Sequence, residues 1–317
     1  MNQKKRIAFL FPGQGAQYNG MGHDFYRDFP AAKQVFEEAD DILNRKLSEI
    51  IFGADEAKLT ETKNSQPAIF TTSLALLKVV TDLFQTNCSP FACAGLSLGE
   101  YTALSASQKL SFHDCLPLVQ ARGEYMHDAC EKQKGSMSVI LGLDASQVEA
   151  IVDELNMAQD LWCANFNCPG QVVISGTLKG VEAGAKACLA KGAKRAIQLQ
   201  VHGAFHSGLM KEAQERLTPH VKQAPIVKTS VHLATNVTGS FSENPEEIKE
   251  LLIRQVTQPV RWQNAVRTLD DNAIELFIEV GCGKTLAAMN KRIGVKAQTF
   301  NIEKVEDLKL LEQELTK

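Results

Sequence analysis

A serine set between two glycines, Gly95-Leu96-Ser97-Leu98-Gly99, follows a short apolar run, Phe91 to Ala94, and precedes a helix-forming stretch, Glu100 to Ala106. This order predicts a buried strand, a sharp turn and a helix. The glycines carry no Cβ, so the backbone there can approach a substrate closely. Ser97 would project at the helix N-terminus, where free N–H groups and the dipole favour developing negative charge. Acyl transfer through a serine needs that arrangement. The same five letters also fit an ordinary glycine-rich turn, and the pentapeptide alone does not choose between the two.

The run Arg6 to Phe11 is continuously apolar after its first residue and ends in Pro12-Gly13-Gln14-Gly15, which predicts a central parallel strand feeding a tight loop. Loops at the carboxyl ends of such strands form the ligand crevice of an open α/β sheet. Gly13-Gln14-Gly15 is not a dinucleotide fingerprint, because Tyr18 stands where the third glycine belongs. Gly281-Cys282-Gly283-Lys284-Thr285 is not a phosphate loop, because Ile278 takes the first glycine position. Nucleotide binding is therefore not expected.

On a helix, Arg122 shares a face with Leu118, Val119, Tyr125 and Met126, which puts a permanent charge on an apolar stripe. A lone buried charge costs several kcal/mol, so a partner is required. An internal salt bridge or snorkelling to water would supply one; so would a substrate carboxylate held bidentately by the guanidinium. A serine nucleophile also needs a base, and seven histidines compete. His202 and His206 lie in a glycine-flanked loop after an alternating segment, Ala193 to Val201. His23, His113, His127, His220 and His232 sit in polar or helical surroundings and read as surface residues.

Taken in order, these segments resemble the malonyl-CoA:acyl-carrier-protein transacylases of dissociated fatty acid synthesis. The resemblance rests on Phe11 to Gly15, Gln66-Pro67-Ala68, Gly95 to Tyr101, Arg122-Gly123, Asn165 to Val173, Ala204 to Ser207, Gln255 with Pro259 to Trp262, and Glu279 to Lys284. Two positions depart from the family pattern: Leu96 where histidine is usual, and Cys282 where proline is usual. Ser97 is intact, so activity is expected to survive Leu96, and Cys282 is expected to affect a loop more than the chemistry.

The resemblance implies a ping-pong transfer in which Ser97 is the nucleophile and His206 its base. The backbone N–H groups of Gln14 and Leu98 would hold the oxyanion, and Arg122 would clamp the malonyl carboxylate. In the family, a backbone carbonyl near the residue matching Gln255 orients the histidine, and Asn165 helps line the site. Phe205 matches the malonyl-selective pattern; a ring there crowds an added methyl group, worth about 1 to 3 kcal/mol. The implied partners are malonyl-CoA and an acidic acyl carrier protein, with no further cofactor and no metal. Lys191, Lys194, Arg195, Lys284, Lys291 and Arg292 are candidates for docking that carrier. A serine thioesterase using the same turn is the alternative, though a simple esterase has no need of Arg122.

The remaining features are consistent with this. With 317 residues, 44% hydrophobic and 22% charged, the chain is an ordinary globule, and a net charge of −3 argues against nucleic-acid binding. Its eight cysteines form no C-x-x-C pair and read as reduced thiols. The basic start, Met1 to Arg6, precedes too short an apolar run for a signal peptide, and no stretch is expected to span a membrane; a cytoplasmic monomer is expected. From Gly135 the periodicity gives strand (Met137 to Leu143), helix (Ser146 to Met157), strand (Leu161 to Asn167), strand (Gln171 to Ser175), helix (Lys179 to Ala190) and strand (Ala193 to Val201). That is the order of a ferredoxin-like unit. The expected fold is α/β: a hydrolase-like, doubly wound parallel-sheet domain, residues 1–128 and 204–317, with a ferredoxin-like α+β subdomain, residues 129–203, inserted. Ser65-Gln66-Pro67 is expected to open a helix running to about Phe84.

Overall fold

The computed structural model describes residues 5–201 and 203–316; residues 1–4, His202 and Lys317 lie outside them. Among the described residues the strands are β1 (Ile7–Phe11), β2 (Pro90–Gly95), β3 (Gly135–Leu141), β4 (Leu161–Cys168), β5 (Gln171–Thr177), β6 (Arg195–Gln198), β7 (His232–Ala234), β8 (Phe241–Ser242), β9 (Leu276–Val280) and β10 (Gln298–Ile302). They form two sheets. The larger runs β10-β9-β1-β2-β7-β8, with every neighbouring pair parallel except β7 and β8 at the edge.

All five side chains of β1 are buried. Ile7, Phe9 and Phe11 join a core that includes Phe36, Phe70 and Val119, whereas Ala8 and Leu10 join another that includes Trp262, Val266 and Leu286. A strand packed against helices on both faces needs apolar residues at every position, which is why its sequence is continuous and not alternating. The doubly wound reading of the large sheet therefore holds.

The smaller sheet, β4-β5-β3-β6, is antiparallel throughout, with a helix (Ala145–Glu154) between β3 and β4 and another (Leu178–Ala190) between β5 and β6. This is the ferredoxin-like order. Its edge is shorter than expected: β6 covers only Arg195–Gln198, not Ala193 to Val201. Leu199 makes one further ladder bond to the Met137 carbonyl, and the chain then leaves the sheet. Leu199 and Val201 keep their apolar character because they wall a cavity. The two sheets are tied where β4 meets the segment after the helix Pro245–Gln255: Phe166 N–H donates to the Val260 carbonyl, and Val260 N–H to that of Ala164, both at 2.8 Å.

Two sequence readings need correction at the helix Thr62–Phe84. It starts three residues before Ser65, so Pro67 lies inside it. Proline cannot donate to the carbonyl four residues back. That carbonyl, on Lys63, instead accepts from Arg45 Nη2 at 3.4 Å. This helix with the turn after it, Thr62–Cys88, is also long and apolar enough to cross a membrane, with a mean hydropathy of 1.4, contrary to the expectation that no stretch would be. Packing explains it: 67% of an 18-residue apolar stretch within it is buried in the protein, and a helix enclosed by a large core is apolar all round for the same reason as a membrane span.

Candidate active site

The loops after β1 and β2 lie side by side, and the turn after β2 is extremely tight. A Cβ on Gly95 would collide with the Gly99 carbonyl, and one on Gly99 with the Phe11 carbonyl. Both flanking positions must be glycine for strand and helix to pack. Between them Ser97 adopts φ 54°, in the left-handed region that side chains rarely enter. Such strain persists only when the surroundings hold it. Asn236, just past the carboxyl end of β7, does so: its Oδ1 accepts from Ser97 N–H, and its Nδ2 donates to the Gly95 carbonyl, each at 2.7 Å.

Ser97 Oγ lies 2.7 Å from His206 Nε2. His206, also at positive φ (56°), presents Nδ1 to the Gln255 carbonyl at 2.7 Å. That carbonyl is free because Gln255 ends its helix and the residue four positions on is Pro259, which has no N–H. A carbonyl only accepts, so Nδ1 carries the proton and Nε2 is left to accept from the Ser97 hydroxyl. Burial, reinforced by the nearby Arg122 charge, lowers the His206 pKa from 6.5 to about 4. The imidazole is therefore neutral at ordinary pH.

Arg122 sits mid-helix in Phe112–Lys132 and is 1% exposed. It neither snorkels nor forms a direct ion pair. Its hydrogen bonds go to three neutral oxygens: Gln66 Oε1 at 2.5 Å, Gln255 Oε1 at 2.9 Å and Ser97 Oγ at 3.1 Å. Its Nε is buried without a partner. The guanidinium is thus held beside the Ser97 hydroxyl with donor capacity to spare.

These groups open onto a cavity of about 240 Å³ between the two sheets. Gly13, Gln14, Ser97 and Arg122 line it from one side; Val139, Asn165 and Asn167 line it from the other, with Phe205 and His206 where the chain returns. The Gln14 side chain turns aside to Thr62, at 3.2 Å. Among the described residues the backbone N–H groups of Gln14 and Leu98 have no protein acceptor. The other described histidines lie elsewhere, for example His220 against Tyr125 and His232 against Glu243.

The acyl transferase domain family profile matches residues 8–311. The chain belongs to that family. This acyl transferase is 42% identical over 311 residues to the malonyl CoA-acyl carrier protein transacylase of Bacillus subtilis, covering 98% of this chain and 97% of that one. The acyl-carrier-protein S-malonyltransferase of Bartonella henselae superposes with a TM-score of 0.93 at 37% identity, over 98% and 100% of the two chains. A malonyl-transacylase solved in complex with the acyl-carrier protein of a type II polyketide synthase matches equally, with a TM-score of 0.93 and 33% identity over 98% and 99%.

Gln66, Glu100 and Asn236, to which the sequence reading gave no role, are central to this acyl transferase, and Gln255 acts through its side chain as well as its carbonyl. Gln66 and Gln255 are the amides that carry Arg122. Gln255 Nε2 also donates to the Ser97 carbonyl at 2.8 Å and to Glu100 Oε2 at 2.6 Å. Glu100 is 1% exposed; burial raises its pKa from 4.5 to about 7, against hydrogen bonds and the Arg122 charge that lower it. The third is Asn236, whose one sequence signal is its place just after a strand in an α/β sheet. Glu100 also had a signal, an acid among Tyr101, Ala103 and Leu104 where a solvated face is absent. Of the two departures, Leu96 lines the cavity and Cys282 is buried against Met21 Sδ at 3.1 Å, its thiol pushed up to about 12 by burial. All eight cysteines are unpaired, as the spacing predicted.

Proposed function

We propose that this enzyme moves a malonyl group from malonyl-CoA to the pantetheine thiol of an acyl carrier protein through a malonyl ester on Ser97. The observation that carries this is the Ser97 Oγ to His206 Nε2 contact with the Arg122 guanidinium on the same oxygen. The relatives' names, which specify malonyl-CoA and an acyl carrier protein, support it.

In the first half-reaction Ser97 Oγ attacks the thioester carbonyl while His206 Nε2 takes its proton. The Gln255 carbonyl holds the resulting imidazolium through Nδ1–H. The N–H groups of Gln14 and Leu98, free of protein acceptors, are the oxyanion donors. The C–S bond breaks, and the proton on His206 passes to the departing CoA sulfur. In the second half-reaction the carrier's thiol loses its proton to His206 and attacks the same carbonyl, regenerating Ser97.

A malonyl ester on Ser97 places its carboxylate one methylene beyond the ester carbonyl, within reach of Arg122. Nε and Nη2 form the side-on fork that a carboxylate accepts bidentately. Asn165 and Phe205 line the substrate's path, and the Phe205 ring disfavours branching at the malonyl α-carbon. No cofactor beyond the pantetheine arms is needed, since nucleophile, base and electrostatic groups all come from the chain. Residues 1–128 with 204–317 form the large unit and 129–203 the inserted one, with Arg292 on the first reaching Gln171 on the second at 2.9 Å. A cytoplasmic setting belongs to the same proposal.

Intact-mass spectrometry after brief exposure to malonyl-CoA tests the reading. One malonyl adduct is expected, absent from Ser97→Ala and discharged rapidly only when holo carrier protein is added. Release of free malonate at the same rate without a thiol acceptor would instead make the chain a thioesterase.

A further inference from the structure

Arg122 and Glu100 are both buried and are joined through a single side-chain amide. Gln255 Oε1 accepts from Arg122 Nη2 at 2.9 Å, while its Nε2 donates to Glu100 Oε2 at 2.6 Å. The other Glu100 oxygen accepts from Asn236 N–H at 3.2 Å. N–H donors thus meet both carboxylate oxygens, the pattern an ionised carboxylate requires. Because the direct partners of Arg122 are neutral, the carboxylate one amide away is its counter-charge in the empty enzyme.

A malonyl carboxylate on Arg122 disturbs this balance. Two anions would then share one cation inside a water-excluded site, where like charges interact strongly. Resting on the malonyl-transfer reading, we infer that Glu100 is the residue that adjusts: malonylation of Ser97 is accompanied by uptake of one solvent proton at the Glu100 carboxylate. The acylation itself is proton-neutral. The Oγ–C bond forms, the C–S bond breaks, and the hydroxyl proton travels through His206 to the CoA sulfur; the added proton goes to Glu100 alone.

The titratable and charged groups facing Glu100 are few. Arg122 approaches from the helix Phe112–Lys132, and Tyr101 is its neighbour on its own helix, with burial holding that phenol neutral. His206 is joined to it only through Gln255, whose carbonyl and side chain contact the two in turn. Asn236 and Gln255 themselves present amides. Position in the first turn of the helix Gly99–Ala106 favours the ionised form in the empty site. With its pKa already raised to about 7, the strong repulsion of a second buried anion carries it into the protonated form across the ordinary working range.

Proposal and functional reading are separable in one experiment on the intact enzyme. Malonyl-CoA, or acetyl-CoA as the uncharged counterpart, is mixed with enzyme in weakly buffered solution containing a pH indicator, and the adduct on Ser97 is quantified by mass in parallel. At about pH 8 the expected result is uptake approaching one proton per malonyl-serine and none per acetyl-serine; at about pH 5, where Glu100 already holds its proton, uptake is lost. Glu100→Gln should abolish the uptake per adduct whatever its rate of acylation. The wild-type comparison stands even where that variant folds poorly. Malonyl adduct without proton uptake, equal uptake with acetyl-CoA, or uptake persisting in Glu100→Gln overturns the proposal. Absence of the malonyl adduct overturns the functional reading and takes the proposal with it.

Discussion

Arg122→Ala separates a dicarboxylic acyl transferase from a generic one. The wild-type guanidinium donates to Ser97 Oγ, Gln255 Oε1 and Gln66 Oε1 and is fully enclosed. Truncating one side of a buried, hydrogen-bonded charge pair costs about 2 to 5 kcal/mol. At 1.36 kcal/mol per tenfold, malonyl transfer should fall by roughly 30- to 5,000-fold in kcat/KM. The acetyl group has no carboxylate to lose, so acetyl transfer should fall far less. A second signature is independent of the substrate: Arg122 is one of the causes that lower the His206 pKa. Its removal should shift the acid limb of the acetyl-transfer profile upward from about 4 toward the ordinary histidine range. Arg122→Lys should restore the limb but not the full malonyl preference, because an ammonium lacks the planar fork. The assay is kcat/KM for malonyl- and acetyl-CoA across pH, with thermal melts as a folding control. Equal loss for both substrates, together with an unmoved acid limb, would refute the assignment and leave Arg122 a structural residue.

Asn236→Leu removes both bonds that hold the strained turn, stranding the Ser97 N–H and the Gly95 carbonyl. Stability should drop by about 2 to 5 kcal/mol in urea unfolding, and acylation should slow by more than that loss of folded fraction explains; normal acylation per folded molecule would show that the turn holds itself. His206 has a folded pKa below its unfolded value, so the unfolded chain binds its proton first. It should cost the wild type stability as pH falls from 6.5 to about 4, by about 3 kcal/mol at most, a loss that His206→Ala lacks. Glu100 and Glu279, both raised from 4.5 to about 7, act in the opposite sense, favouring the fold below 4.5 and losing that contribution as pH rises through 7.

How far the site is legible depends on how local its cause is. The strained turn could be read because its requirement is local: Gly95 and Gly99 are glycine for contacts a few residues away or across one strand pair, and the apolar run before them marks the strand. Arg122 was legible as a burial conflict from its helix face, but not in its resolution. Helical spacing shows that the guanidinium is buried; it does not show that two glutamines 56 and 133 residues distant receive it. The start of the helix at Thr62 was missed because Pro67 looks like a first-turn residue, and only Arg45, brought in from the loop between two other helices, makes it tolerable further in.

The sequence by itself determined the two sheets, the helices that cover them, the placement of a serine at a strand-to-helix turn and the thiol state of the cysteines. Each follows from periodicity, glycine sterics or spacing within a few turns of chain. Spacing left seven histidines open and only the family resemblance pointed to His206; the tertiary structure is what brings it to Ser97 across 109 residues and fixes its neutral tautomer on a Gln255 carbonyl that Pro259 leaves free. It also decided that Glu100 answers Arg122 through Gln255. Buried polar groups must be satisfied by whatever partners the topology delivers, and strand order in the sheet, not distance along the chain, sets which partners those are.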